Sequence, residues 1–496
     1  MIESFLHPAL SLGTQAALRT AYGVLLLLTL GLTLPQARRF FVSDRWGGYA
    51  RSDPRVDLVQ NPYLLGVVQL AWFTCALLLV LGRYVVAAAL VNLVLCRYFF
   101  IGMRWKGVLR GMGAPGFMTY WLAACVFFLE YGLRYDPTGG VREAALLAFR
   151  VDFAVIMLCA GTYKSLAGYP KNDGMELGMV NPWWGYWGER YRRIPPGHWV
   201  FRTLNHLAYG TEIVAAVLML IPVTAFWGGL LIFLSFAWIA THIRLGFLCE
   251  MVMACALLYV PPGHLADRAL SSLFAAGAST VAVPAAPAML NTALRALLLT
   301  YAALLPLAKA GQYYNFLARK RLPSLLQKVL DRYTNLFGII IWRVFSVDVT
   351  NFFAEIHLED GLTGTRTTYA RPGCLDWASR FRYLHVGEFI CLASLFTTLK
   401  YYPSNDALFR ERLVRYCRTI PCPEGSSVVF RYVSVRKDSG RFEYAPVAEY
   451  RVDPAKGTLE ETILDPSVSV RTAAPVSPVH EGVRPGSYAP ASGSAR

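Results

Sequence analysis

The sequence predicts a mainly α fold: a polytopic transmembrane helical bundle of eight or nine spans, followed by a small C-terminal α+β domain. Three observations predict it. Hydrophobic residues fill 55% of the 496 positions and charged residues only 16%, against about 25% charged in ordinary soluble domains. The apolar residues gather into stretches near the length of a bilayer crossing, about 20 residues of helix. The last third loses that clustering and alternates short apolar runs with turn residues, as strands do.

The apolar stretches lie near residues 17–34, 63–81, 84–103, 116–133, 144–167, 207–226, 229–243, 246–260 and 294–310. Lipid offers the backbone no hydrogen-bond partners, so each is read as a helix. Residues 266–290 are ambiguous, being rich in Ala and Ser and broken by Pro284 and Pro287; they suit a re-entrant or surface segment. The first stretch has no small-x-small cleavage site after it and reads as an uncleaved anchor.

The formal charge of +16 belongs to the connections between spans rather than to a nucleic-acid surface, since no recognition motif of that class is present. Loop one holds Arg38, Arg39, Arg45, Arg51 and Arg55, and the next loop only Arg83. Loop three holds Arg104, Lys106 and Arg110, and loop five Lys171, Arg190, Arg192, Arg193 and Arg202. Basic odd loops place the N-terminus outside and, with nine spans, the C-terminal third in the cytoplasm. The ten cysteines show no zinc-ligand spacing, so no metal is expected.

Four regions follow: a bundle over 1–310, a basic amphipathic segment over 311–340, a soluble α+β module over 341–465 and a tail over 466–496 too poor in apolar residues to order itself. In the amphipathic segment Leu322, Leu325, Leu326, Val329 and Leu330 share one face, ringed by Arg319, Lys320, Arg321, Lys328 and Arg332, with Pro323 suited to a first turn. Such a helix lies in the membrane interface or packs on the protein's own polar domain. In the module, residues 352–358, 365–369, 428–436 and 442–451 read as strands and 381–400 and 407–419 as helices.

Ionisable residues within spans mark candidate sites, because each costs about 2.5–3.5 kcal/mol at a helix centre. They are Arg97, Glu130, Arg150, Asp152, Lys164, Glu212, His242 and Glu250. Arg97 and Glu130 read as snorkelling or structural pairs. Arg150, Asp152, Glu212, His242 and Glu250 are pocket candidates. At about 100° per residue Arg150 and Lys164 share a face while Asp152 points elsewhere, Asn205 shares one with Glu212, and His242 with Cys249. Lys164 is either a snorkelling anchor or an amine in an apolar pocket, where desolvation favours its neutral form and lets it act as a base.

The run Ala160-Gly161-Thr162-Tyr163-Lys164, the polar loop with Gly174 and Trp183-Trp184, the turn His242-Ile243-Arg244-Leu245-Gly246-Phe247, the stretch Trp342-Arg343-Val344-Phe345-Ser346, the turns Asp360-Gly361 and Thr363-Gly364, and Asp465-Pro466 occur in one order. In that order the chain resembles the vitamin K-dependent γ-carboxylases and their bacterial relatives, the horizontally transferred transmembrane domain (HTTM) proteins, over about residues 20–470. The resemblance implies a multi-pass protein of the bacterial inner membrane, a lyase with Lys164 as the base that deprotonates a reduced quinone. It implies O2 and CO2 as co-substrates and a glutamate-bearing peptide or protein as acceptor, with membrane lipid as surroundings. The chain departs from the pattern at Gly116, where the carboxylases carry a histidine, and in the loop Tyr135-Asp136-Pro137-Thr138-Gly139-Gly140. The family places the first loop and C-terminal domain in the lumen, opposite to the loop charge here. Other redox or group-transfer chemistry on a lipid or peptide, and non-enzymatic transport or membrane assembly, are the alternatives.

Overall fold

An apolar solvent leaves the backbone to satisfy its own hydrogen bonds, and the first two-thirds of the chain does so in helices. The structure is a computed structural model that describes residues 2–34, 37–50, 57–102, 113–171, 174–274, 285–318, 320–340, 347–370, 383–401, 405–438, 440–468 and 470. The expected tail beyond residue 470, the Trp342–Ser346 motif, Cys374, Arg51, Arg55, Arg104, Lys106, Arg110 and Arg319 lie outside the described residues.

The bundle comprises α1 (Leu12–Thr33), α2 (Pro62–Leu81), α3 (Val85–Cys96), α4 (Gly113–Tyr135), α5 (Gly140–Leu166), the short α6 (Met175–Val180), α7 (Trp199–Leu220), α8 (Ala225–His242), α9 (Leu248–Ala256), α10 (Leu265–Phe274) and α11 (Ala288–Ala318). Local chemistry sets their ends. Ser11 caps α1 by accepting from the Thr14 amide at 3.0 Å, and Asn61 caps α2 ahead of Pro62 while Gly82 closes it at φ 68°. Helices α1, α2, α4, α5, α7, α8 and α11 are long and apolar enough to cross a membrane. Seven such helices are the pattern of a multi-pass membrane protein. Their outward faces are apolar too: Val67, Leu70, Val214, Trp227, Leu234 and Leu307 all stand exposed.

Against the eight or nine spans expected, seven helices among the described residues are that long, and α3 and α9 are shorter apolar helices running between the same two ends. Helix α3 has 12 residues before it widens into a π-helical turn over Arg97–Gly102. Helix α9 has nine, and a 3-10 turn over Leu257–Tyr259 leads into Pro261 and Pro262, which cannot continue it. The ambiguous stretch resolves at its edges into α10, whose Asp267 accepts from Ser11 and Thr14, and into the start of α11. Helix α11 is longer than expected, 31 residues including Pro306. It absorbs Tyr313 and Phe316, so the amphipathic helix is α12 (Ser324–Phe337) and Pro323 precedes it.

The segments after α1, α3, α5, α8 and α11 meet at one end of the bundle. Arg39 Nε donates to Thr419 Oγ1 at 2.9 Å, Arg97 to Asn335 O at 2.6 Å, Arg244 to Pro182 O at 2.8 Å and Lys309 to Ile340 O at 2.7 Å. These are the odd loops, so the basic connections and the C-terminal module share an end.

The module is a five-stranded antiparallel sheet in the order β2 (Arg366–Ala370), β1 (Phe352–Glu359), β3 (Ser427–Asp438), β4 (Arg441–Asp453), β5 (Thr458–Ile463). The fifth strand was not expected. A tight turn delivers it, in which Asp453 accepts from the Ala455 and Lys456 amides and Gly457 takes φ 65°. Pro446, opposite Val433, accompanies a register shift in the β3–β4 ladder, as a residue without an N–H must. Helices α13 (Tyr383–Tyr401) and α14 (Asp406–Cys417) cover one face through Phe396 and Phe409 on Tyr450. Asn181 fastens the module to the bundle by donating to Thr350 O and Phe352 O, both at 2.8 Å. Trp183 stacks on Phe389 at 5.5 Å, and Tyr444 donates to Val180 O at 2.5 Å.

On the sheet, Glu449 lies between Arg431, 2.9 Å away, and Arg366, 3.1 Å away. Burial pushes its carboxyl up, but the hydrogen bonds from the two guanidinium groups outweigh that and leave it below its ordinary value. A carboxyl with a depressed folded pKa contributes stability that is full above its unfolded value, about 4.3, and is lost as pH falls through the folded one. Denaturation of the full chain, followed by its sheet signal, should therefore show stability falling below about pH 4.3. Glu449→Gln should flatten that acid limb; an unchanged limb would assign it to other carboxyls.

Candidate functional site

The family-like motif on α5 contains a packing device. A Cβ on Gly161 would lie 2.7 Å from Ile213 Cγ1 and 2.8 Å from Tyr209 O, so only glycine lets α5 and α7 approach this closely. One turn later Lys164 Nζ donates to Glu212 Oε1 at 2.5 Å. Both side chains are buried, 6% and 1% exposed. A pair this far from water holds only because each charge neutralises the other.

Aromatic and small groups wall the pair. Tyr163, Ala167 and Phe316 form a separate buried cluster, and Tyr169 is fully buried. The polar loop closes over it, since a Cβ at Gly174 would meet the Tyr169 ring at 2.4 Å. Asn205, on the Glu212 face of α7, accepts from the Met175 amide at 2.7 Å and so pins α6 above the pair. Two buried polar atoms here have no hydrogen-bond partner among the described residues, Glu212 Oε2 and Asn205 Nδ2. They offer one acceptor and one donor. That suits a ligand with a hydroxyl and a second oxygen, and the apolar walls suit a ring.

The other candidates separate. Arg150 does not join Lys164: its Nε donates to Leu258 O at 2.7 Å and its Nη2 to Ala9 O at 3.1 Å. Fourteen residues on one helix put the two about 21 Å apart, beyond any shared contact. Asp152 accepts from Trp121 Nε1 at 2.7 Å and Tyr301 OH at 2.5 Å. His242 is no buried site histidine. It lies half-buried at the end of α8, stacked on Trp238 at 4.1 Å and bonded to Thr241, whereas Cys249 is buried. Beside it, Arg244 reaches Pro182 O and its amide donates to Trp184 O, so the two family-like loops are tied together structurally. Glu250 lies half-buried in the first turn of α9. Glu130 pairs with Arg19 and Arg134, each at 3.6 Å.

Sequence reasoning missed several buried ionisable groups, Arg19, Lys309 and Glu176 among them. Arg19 and Lys309 sit in apolar stretches already identified as spans and were there to be read. Glu176, fully buried and paired with Lys437 of the module, gave no signal, because its partner is 261 residues away. Among the described residues no three His, Cys, Asp or Glu side chains gather as metal ligands. No protein-family model matches the chain, and comparison with curated proteins and with solved structures gave no match either.

Two substitutions probe the geometry. Gly161→Val should drive α5 and α7 apart and lower the melting temperature in detergent; an unchanged melting temperature would contradict the close approach. Lys164→Met leaves Glu212 buried alone and should cost about 3–5 kcal/mol, most of it recovered in Lys164→Met with Glu212→Gln. Additive losses in that cycle would show that the two side chains do not interact.

Proposed function

We propose that this chain is a multi-pass membrane enzyme of the carboxylase-like kind, with the Lys164–Glu212 pair handling protons for a reduced lipid quinone. One observation carries the reading: a lysine and a carboxylate joined at 2.5 Å inside the helical bundle, with a carboxylate oxygen left over. The location of Lys164 in the Ala-Gly-x-x-Lys run supports the same reading.

A reduced quinone, once bound, would supply with O2 the base strength needed to remove a γ-proton from glutamate ahead of CO2 addition, as the resemblance implies. The chain's residues do the rest. Glu212 Oε2 accepts a hydrogen bond from a ligand hydroxyl and orients it. Lys164 Nζ becomes a base by passing its shared proton to Glu212 Oε1, and the neutral amine then takes the proton of the oriented hydroxyl, leaving an ammonium, a carboxylic acid and the ligand's oxyanion. Tyr163, Tyr169 and Phe316 exclude water, which a strong base requires. Asn205 Nδ2 donates to a second ligand oxygen. Gly116 brings no side chain, so the donor that the carboxylases place there is missing and the pair bears more of the stabilisation.

Hydroquinone epoxidation and peptide carboxylation by the purified protein in detergent test this. Wild type should turn over and Lys164→Ala should lose at least about 100-fold. A wild type with no turnover, or a Lys164→Ala variant with full turnover, would falsify the reading. Asp152 and Lys309, buried on the facing sides of α5 and α11, favour one rival, proton- or ion-coupled transport. It predicts substrate flux in proteoliposomes that Lys164→Ala need not abolish and Asp152→Asn does.

A further inference from the structure

Helix α12 is held by one face only. Leu330 and Thr334 are buried, with Leu330 set against Gly311 of α11. Tyr333 donates to Tyr301 O at 2.7 Å, and the Phe337 ring lies 4.7 Å from that of Tyr301. The face beside the docked one carries Leu325, Leu326, Val329 and Leu336, which are 73%, 56%, 57% and 60% exposed. On a helix with 100° per residue, Leu325, Val329 and Leu336 fall within about 40° of one another, and Leu326 extends the stripe. Arg332 and Lys328 border it on one side, both exposed, and Lys320 and Arg321 stand exposed in the preceding connection. The one acidic group of the helix, Asp331, accepts from Gln327 at 2.8 Å and lies away from the stripe.

The level of this helix follows from α11. The backbone just before α11 is tied to the far end of the bundle, where the Ala286 amide donates to Tyr135 O. Its 31 residues make about 46 Å of helix, against about 30 Å of hydrocarbon. Its last third therefore emerges at the end that carries the module. Helix α12 folds back on that portion, through Asn315 to Gln327 and Gly311 against Leu330. The apolar stripe thus sits where acyl chains meet headgroups, with its cations at headgroup level.

We propose that α12, with its preceding connection, is a binding site for anionic phospholipid headgroups. The stripe enters the acyl boundary, and Lys328, Arg332, Lys320 and Arg321 engage the lipid phosphates. Membrane and protein thereby each take one face of the helix. The site is independent of the chemistry at Lys164.

The test uses the full chain in nanodiscs of phosphatidylcholine, alone or mixed with phosphatidylglycerol. A spin label on Val329→Cys, measured against labelled unsubstituted protein, should be relaxed by oxygen and shielded from an aqueous nickel chelate. Spin-labelled phosphatidylglycerol should associate in preference to phosphatidylcholine, and Lys328→Gln with Arg332→Gln should reduce that preference roughly fivefold per side chain. A label open to the nickel chelate places the stripe in water and overturns the proposal. A label shielded from both relaxants shows that protein, such as a second copy, covers it, and does the same. A preference unchanged by the double substitution, or abolished by inorganic phosphate, removes the headgroup assignment.

Discussion

A charge carried into an apolar bundle needs its counter-charge or its donors inside the same bundle, and much of this architecture answers to that constraint. Lys164 has Glu212 at 2.5 Å. Asp152 has the indole of Trp121 and the hydroxyl of Tyr301. Glu130 has Arg19 and Arg134, and Lys309 has the carbonyl of Ile340. Each solution reaches outside its own helix, so each joins segments apart in the chain. Losing any partner strands a charge in a low dielectric.

Close backbone approach makes these solutions reachable. Gly161 lets α5 touch α7, and Lys164 one turn on then meets Glu212. Near the same end, Asn205 holds α6, and Asn181 and Tyr444 carry the connection on to the sheet. The paired lysine therefore lies beneath the joint between bundle and module. The fully buried Glu176, paired with Lys437 of β3, reinforces the same joint.

The amphipathic character of α12 was plain from Leu325, Leu326, Val329 and Leu330, but which of these faced protein was not. Leu330 turned inward against Gly311 and its three neighbours outward. A helical repeat gives the stripe its direction on the helix, yet the docking angle comes from α11. The same limit applied to Arg150 and Lys164. Spacing put both on one face of α5, while their separate partners came from α7, the turn after α9 and the segment before α1.

The sequence alone determined the apolar helices, the basic odd loops, four of the module's five strands and the two helices between them. Those features rest on local periodicity, capping and turn chemistry, which a few neighbouring residues specify. Tertiary structure decided that α3 and α9 fall short of long spans and that His242 is half-exposed. It also decided that Glu212 is the group at Lys164 and that Glu176 answers Lys437. Pairings across 48 and 261 residues depend on how helices stack and which glycines let them close, and no local pattern encodes that.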